Sequence, residues 1–373
     1  MSGEARKDDD ILSLVRPDLL AMPGYEPIEP VDVIARRLGI PEEQVVKLDG
    51  NENPYGPSPK VAEALARFPY YHIYPDPEQR RVREAIAAYV GVGPEHIVVG
   101  AGSDELLDVA ARLFLSPGDV VVNAPPTFGM YEFLPCLYGG RVVEVPRLED
   151  FSLDLPAIED VLRDGAKLVL LASPNNPTGN PLSEGELERL LSWRAAVLVD
   201  EAYGEFAGDS FAGLVPRRDN LMVVRTFSKW AGLAGLRAGY GVFPKAVAEV
   251  IRKIKMPYNL NAAAEVAVLA SLEDVPALRQ RVEAIVAERE RLSGRLSELG
   301  WLRPYPSQAN FLLCEVRGRS ARAVRDRLRE RGVLVRHFDS PGVRNCLRIS
   351  VGRPQDSERL LAALAEIGAD GAK

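Results

Sequence analysis

Lys229 stands in TFSKWAGLAGLRAGY (residues 226–240), just after the apolar run LMVV (221–224), with Thr226 and Ser228 before it and Arg237 after it. A lysine is ordinarily a solvated surface charge. In an apolar pocket beside another cation it becomes a neutral, nucleophilic amine instead. Three more stretches carry comparable chemistry. Asp200 ends the apolar run AVLV (196–199), where an ionised carboxylate is costly without a compensating cation; capping the next helix is the competing reading. Asn176, in SPNNPTG (173–179), offers a side-chain amide from a loop forced into an irregular path by its prolines and glycine, although a plain turn would look the same. GAGSDE (100–105) is a glycine-loosened turn entering a helix, a geometry that favours phosphate; Asp104 and Glu105 also serve as simple complements to the helix dipole. Together, an amine, a buried carboxylate, an amide and a cradle of hydroxyls with an arginine suit pyridoxal phosphate. Its aldehyde takes the lysine, its pyridine nitrogen takes the carboxylate and its phosphate takes the cradle.

The elements that must position these residues follow from hydrophobic periodicity. Short β-branched runs alternate with helical patterns: HIVV (96–99), SDELLDVAARLF (103–114), DVVVN (119–123), RVVEV (141–145), LPAIEDVLRD (155–164), KLVLLA (167–172), SEGELERLLSW (183–193), AVLVDEAY (196–203) and NLMVVRTF (220–227). Strands apolar on both faces and separated by helices predict a mostly parallel sheet covered on both sides, an α/β domain. In such sheets ligands sit beyond the carboxyl ends of the strands, and each of the four stretches follows a strand. Ser183 and Glu186 form a capping-box pattern that starts a helix right after the 173–182 loop. Beyond the lysine come long amphipathic helices, interrupted near Pro276. ANFLLCEV, SARAVRDRLRERG, VLVRHF, NCLRISVG and DSERLLAALAEI then predict a smaller α+β domain with antiparallel pairs. The proline-rich first 60 residues suit an extended arm over a surface rather than a packed core. The predicted division is an arm at 1–30, a large domain at 31–265 and a small domain at 266–373.

Composition narrows the function classes. The 373 residues carry a formal charge of −7 and 46% hydrophobic residues, with pI about 5.3. Charges of both signs are interspersed, which argues against a nucleic-acid or anionic-membrane partner. No apolar run reaches bilayer-spanning length and the N-terminus lacks a signal-type apolar core, so a cytoplasmic enzyme is expected. Cys136, Cys314 and Cys346 are odd in number and far apart, as suits buried thiols in a reducing compartment. The three histidines have no second ligand at i+3 or i+4, so no metal is expected.

NNPTG, VDEAY and TFSKWAGLAGLRAGY, in this order and spacing, resemble the fold-type I pyridoxal-phosphate aminotransferases. LVRPDLLAMPGYEP, LDGNENPYGPSP, YPDPE, PTFGMYE, VLVRHF and NCLRISVG narrow the resemblance to the histidinol-phosphate aminotransferase branch. The resemblance implies a fold-type I architecture and catalytic roles for Lys229, Asp200 and Tyr203. Lys229 matches the lysine that bonds the cofactor aldehyde and shuttles a proton. Asp200 matches the partner of the ring nitrogen; Asn176 and Tyr203 match donors to the ring's phenolic oxygen. Gly102, Ser103, Asp104, Thr226, Ser228 and Arg237 match the phosphate holders, and Phe128 the ring-stacking position, where the branch commonly has tyrosine; stacking needs only the π-face. Tyr55 matches a residue that reaches the phosphate from a neighbouring subunit, which implies a homodimer with shared sites. Arg348 matches the grip on the substrate α-carboxylate, and Asn176 is counted among the substrate-binding positions as well. Arg336 and Tyr25 match positions near the phosphate of histidinol phosphate. The implied substrates are histidinol phosphate and glutamate/2-oxoglutarate. Aromatic amino-acid transamination, phosphothreonine-type decarboxylation and a non-catalytic effector-binding role are the rivals, the last disfavoured because every catalytic position is filled.

Overall fold

The computed structural model describes residues 11–22, 24 and 29–370. Its larger sheet has seven strands in the order Ile97–Gly100, Gly239–Val242, Leu221–Thr226, Ala196–Asp200, Leu168–Ala172, Val120–Asn123, Arg141–Glu144. All neighbours are parallel except Gly239–Val242, which runs antiparallel to both of its own. That strand escapes the sequence reading because GYGV has two glycines in four residues and begins within the end of the lysine motif. The central strands are buried along their length, and alternation sends successive side chains to opposite faces. Val197 and Val199 join the core on one face, and Leu198 the core on the other.

Helix starts obey local chemistry. Ser183 Oγ accepts from the Glu186 N–H at 3.2 Å while Glu186 Oε2 accepts from the Ser183 N–H at 2.8 Å, completing the expected capping box. The break near Pro276 falls at Glu273–Asp274, and the proline sits in the first turn of the 24-residue helix Val275–Glu298, where its missing N–H costs nothing. That helix reaches both cores: Leu278, Val282 and Ile285 pack with the large sheet, Leu292 and Leu296 with the small one.

The smaller sheet is ordered Val46–Leu48, Val333–His337, Cys346–Ser350, Phe311–Val316, Leu302–Pro304, with antiparallel pairs in its C-terminal part as expected. It also corrects the reading of the first 60 residues as an extended arm. Helix Val31–Leu38 buries Ile34 and Ala35, and Val46–Leu48 pairs in parallel with Val333–Val335. Proline content misleads here because these prolines flank elements, as Pro30 and Pro41 do, rather than interrupt them. The three cysteines are free, Cys314 and Cys346 being buried. Among the described residues no helix is long and apolar enough to cross a membrane.

Candidate active site

Strand alternation decides which side chains meet. Asp200 and Thr226 emerge on the face shared by Leu198 and Val224, while Glu201 and Arg225 emerge on the other. Arg225 is buried there between two carboxylates, 2.8 Å from Glu205 and 3.7 Å from Glu201. This network ties together the two strand ends that deliver Asp200 and Thr226.

A pocket of about 230 Å³ opens at the carboxyl ends of the strands, between the two sheets. It is lined by Ser103, Asp104, Phe128, Asn176, Asp200, Tyr203, Thr226, Ser228, Lys229, Arg237 and Arg348, all expected site residues, gathered from segments up to 245 positions apart. The Lys229 amine donates to the Gly50 carbonyl at 2.9 Å. Burial, reinforced by the Arg348 guanidinium, pulls its pKa down to about 8. Asp200 is 5% exposed; burial pushes its carboxyl up to about 7. Its Oδ1 accepts from the Ala202 N–H at 2.9 Å and its Oδ2 from the Tyr131 hydroxyl at 2.8 Å. The bond to Ala202 is a local turn contact and not a helix cap: the next helix, Gly204–Ala207, has Tyr203 at its N-cap and no side-chain cap, so the capping reading of Asp200 fails. Among the described residues no cation pairs with it.

The phosphate-type cradle lies at the other end. Ser103 opens the 12-residue helix Ser103–Phe114, which has no side-chain cap and whose first two residues line the pocket, so its N-terminus is placed to offer N–H donors to an anion. Thr226 Oγ1 and Ser228 Oγ are 2.9 Å apart and buried. Arg237 takes a left-handed conformation (φ 52°) and bonds Asp104 at 2.9 Å and Ser228 Oγ at 3.4 Å. The Asp104 pair is about half exposed and worth little by itself, so an incoming anion can take over the guanidinium. Gly102 does not line the pocket but makes the cradle possible: a Cβ there would lie 2.5 Å from Arg237 Nη2. Glu105, the other acid of that turn, is structural, accepting from Asn259 Nδ2 at 2.8 Å.

At the substrate end, Arg348 Nη1 donates to Asn176 Oδ1 at 2.8 Å and Nη2 to the Asp49 carbonyl. Tyr203 accepts from Asn51 Nδ2 at 2.9 Å. Phe128 lines the pocket with its ring edge-on to Tyr131, centroids 5.6 Å apart. Two expected residues are not brought in. Arg336 is the strand partner of Arg348, yet it lines a neighbouring depression with Arg322, Arg325, Arg329 and His337; the guanidiniums of Arg336 and Arg348 lie 6.0 and 5.7 Å from one ring, Phe338. Tyr55 is part-buried under Arg353, 5.6 Å from its guanidinium, outside the pocket. Tyr25 lies outside the described residues.

Sequence reasoning passes over Tyr131 and Asn51, although both fall in quoted stretches. Asn51 is 1% exposed and left-handed (φ 53°), a conformation asparagine tolerates. Its N–H donates to Ser350 Oγ at 2.9 Å and its carbonyl accepts from Asn310 at 2.9 Å, so it ties Tyr203 to the small domain. The only local signal is an asparagine beside Gly50.

The donors fit a phosphorylated pyridine aldehyde: a cradle with a free helix end for phosphate, a poised amine for the aldehyde, and a buried carboxylate lacking a protein cation for a protonated ring nitrogen.

Comparison with known proteins agrees with this chemistry. Residues 43–364 match the family model "Aminotransferase class I and II". The histidinol-phosphate aminotransferase of Roseiflexus castenholzii is 53% identical over 366 residues, covering 96% of this chain and 99% of the relative. That of Dehalococcoides mccartyi is 45% identical over 354 residues, covering 95% and 98%. The crystal structure of histidinol-phosphate aminotransferase from Sinorhizobium meliloti in complex with pyridoxal 5'-phosphate superposes with a TM-score of 0.86 at 29% identity, covering 96% and 98%.

Proposed function

Because this chain belongs to the class I and II aminotransferases and, within them, to the histidinol-phosphate aminotransferases, we propose that it uses pyridoxal 5'-phosphate to convert histidinol phosphate and 2-oxoglutarate to imidazole acetol phosphate and glutamate, a step of histidine biosynthesis. The observation that carries this reading is the meeting of Lys229, Asp200, Arg348 and the Ser103/Thr226/Ser228/Arg237 cradle in one pocket.

When bound, the cofactor supplies a protonated ring that accepts electron density from the substrate carbon being deprotonated. Asp200 would hold the ring nitrogen protonated, the two opposite charges offsetting the cost of burying either alone. Gly102, Ser103, Thr226, Ser228 and Arg237 would hold the phosphate, Phe128 would cover the ring face, and Tyr203 and Asn176 would reach its phenolic oxygen. Lys229, whose lowered pKa of about 8 makes a neutral amine accessible, would take the aldehyde, then yield it to the substrate amine and move the proton from the amine-bearing carbon. Arg348 would receive the α-carboxylate of glutamate in its fork, a geometry lysine cannot reproduce.

Histidinol phosphate has no carboxylate, so its recognition depends on its phosphate, and Arg336, one aromatic ring away from Arg348, is the cation we assign to it. Side-by-side turnover of histidinol phosphate, phenylalanine and phosphothreonine tests the reading. Histidinol phosphate should be preferred, and Arg336→Ala should cost it about ten- to hundred-fold in kcat/KM with much less effect on phenylalanine; equal losses on both would remove the phosphate role.

We also propose a cytoplasmic homodimer in which Tyr55 reaches the partner's phosphate site. Tyr70, Tyr71, Ile73, Tyr74, Met256 and Tyr258 are exposed side by side in sequence and space, with Tyr74 stacked on Tyr258 at 4.6 Å, an apolar surface that a second copy would cover. Sedimentation should give the mass of two chains, and a monomer at micromolar concentration would exclude the shared site.

A further inference from the structure

The sequence motifs account for every group around Asp200 except one. Tyr131, on helix Met130–Leu137, is 1% exposed, and its hydroxyl is 2.8 Å from Asp200 Oδ2. A buried tyrosine hydroxyl needs a partner, but many neutral acceptors would serve. Here the partner is, among the described residues, the buried carboxylate with no cation paired to it. We infer that Tyr131 is a positioning residue: by donating to Asp200 Oδ2 it keeps the carboxylate ionised and aimed at the cofactor's ring nitrogen. The inference rests on the pyridoxal-phosphate reading above and extends it to a residue to which the quoted stretches assign no role.

The charges around Asp200 make such a donor necessary. Asp104, on the helix that opens the phosphate cradle, and Glu201, next along the chain, both disfavour a second negative charge. Tyr203 and Lys229 line the same pocket, as does Arg348 from the small sheet. Among the described residues two hydrogen bonds, from Tyr131 and from the Ala202 N–H, favour its charged form. The Ala202 bond is backbone and depends only on the turn. The Tyr131 bond depends on one side chain, buried in the core and packed edge-on against Phe128 at 5.6 Å. Phe128 therefore has two neighbours to serve, the cofactor face on one side and the Asp200 donor on the other. Each carboxylate oxygen keeps a further lone pair after these bonds, so the hydroxyl does not compete with a ring N–H. It narrows the directions from which that N–H is accepted.

Loss of the hydroxyl must then act through the ring nitrogen and nowhere else. Burial alone drives the carboxylate toward its protonated form; without Tyr131 that tendency increases. The pH below which Asp200 is neutral moves up, and with it the acid limb of cofactor binding. A packing role for Tyr131 predicts something different, a pH-independent loss that ignores the chemistry of the ring.

The test compares Tyr131→Phe with wild type in binding two cofactors, pyridoxal 5'-phosphate and its 1-deaza analogue, in which carbon replaces the ring nitrogen. Equilibrium binding is followed by absorbance from pH 6 to 9, so the readout does not depend on turnover. We expect the variant to bind pyridoxal 5'-phosphate about ten- to hundred-fold more weakly at pH 7, the loss of one charge-assisted hydrogen bond. The deficit should shrink as pH rises, and the deaza analogue should bind both proteins alike. Equal weakening for both cofactors, or a deficit independent of pH, would reduce Tyr131 to packing and overturn the inference. Unchanged binding of both cofactors would overturn it as well. Wild type failing to bind pyridoxal 5'-phosphate would instead sink the cofactor reading, so the two failures are distinguishable. Should Tyr131→Phe lose its fold by circular dichroism, Phe128→Leu serves in its place: it frees the Tyr131 ring while keeping the hydroxyl, and the same pH-dependent, nitrogen-dependent deficit is expected in milder form, with its absence counting against the inference.

Discussion

Lys229→Ala should abolish the half-reaction with histidinol phosphate, a loss of about 10⁴-fold at the upper end of what a positioned acid–base group provides, while the protein stays folded. The amine is held at the pocket floor by one carbonyl, Gly50 at 2.9 Å, a contact that orients it without competing for its lone pair. Its depressed pKa gives the reaction a pH signature. Below about 8 the group is an ammonium and cannot attack an aldehyde; above it the amine is free. The rate at which cofactor-free enzyme captures pyridoxal 5'-phosphate should therefore rise with pH through about 8 and level off. Single-turnover kinetics measures the first effect and stopped-flow absorbance the second. Normal turnover by the variant, or borohydride fixing the cofactor to another side chain, would falsify the assignment.

The second large effect is at Asp200. Asp200→Ala should lower kcat by about 10²- to 10³-fold, the scale on which a buried, preorganised charge acts in other enzymes, because the other carboxylates lining the pocket, Glu52 and Asp104, are about half exposed and paired with Lys47 and Arg237. Stability should respond in the opposite sense. The folded carboxyl is raised above its unfolded value near 3.9, so in cofactor-free enzyme its contribution is most favourable below that value and is lost as pH rises toward about 7. Removing it should flatten that part of the stability profile rather than unfold the protein. Urea denaturation of the apoenzyme at pH 5 and pH 8 resolves the two effects. A variant with full activity would leave Asp200 as a mere turn-former, held only by the Ala202 N–H.

The position of the chemistry along the chain was legible because each of the four stretches that carry it follows an apolar, β-branched run of strand length. Helices Ser103–Phe114 and Leu155–Arg163 begin where the periodicity places them, and the Ser183 capping box forms as its spacing requires. The lysine motif likewise declared its amine, its hydroxyls and its arginine. Less could be read where pairing partners are remote. Val46–Leu48 looks like part of an arm until Val333–Val335 lies beside it, and GYGV looks like a loop until two neighbours claim both of its edges.

The site shows the same division. Arg336 and Arg348 have equal standing as sequence positions, one apolar strand and one arginine each. Only folding puts Arg348 against Asn176 and leaves Arg336 in the adjoining depression. Tyr131 is one aromatic among many until its hydroxyl meets Asp200 across 69 positions. The sequence by itself determined which functional groups exist, which elements carry them and on which strand face each emerges, since those depend on local periodicity and side-chain chemistry. Tertiary structure alone decided which of them share a cavity and how their charges are tuned, because proximity and burial belong to pairs of segments far apart in the chain, and the protonation of Lys229 and Asp200 depends on both.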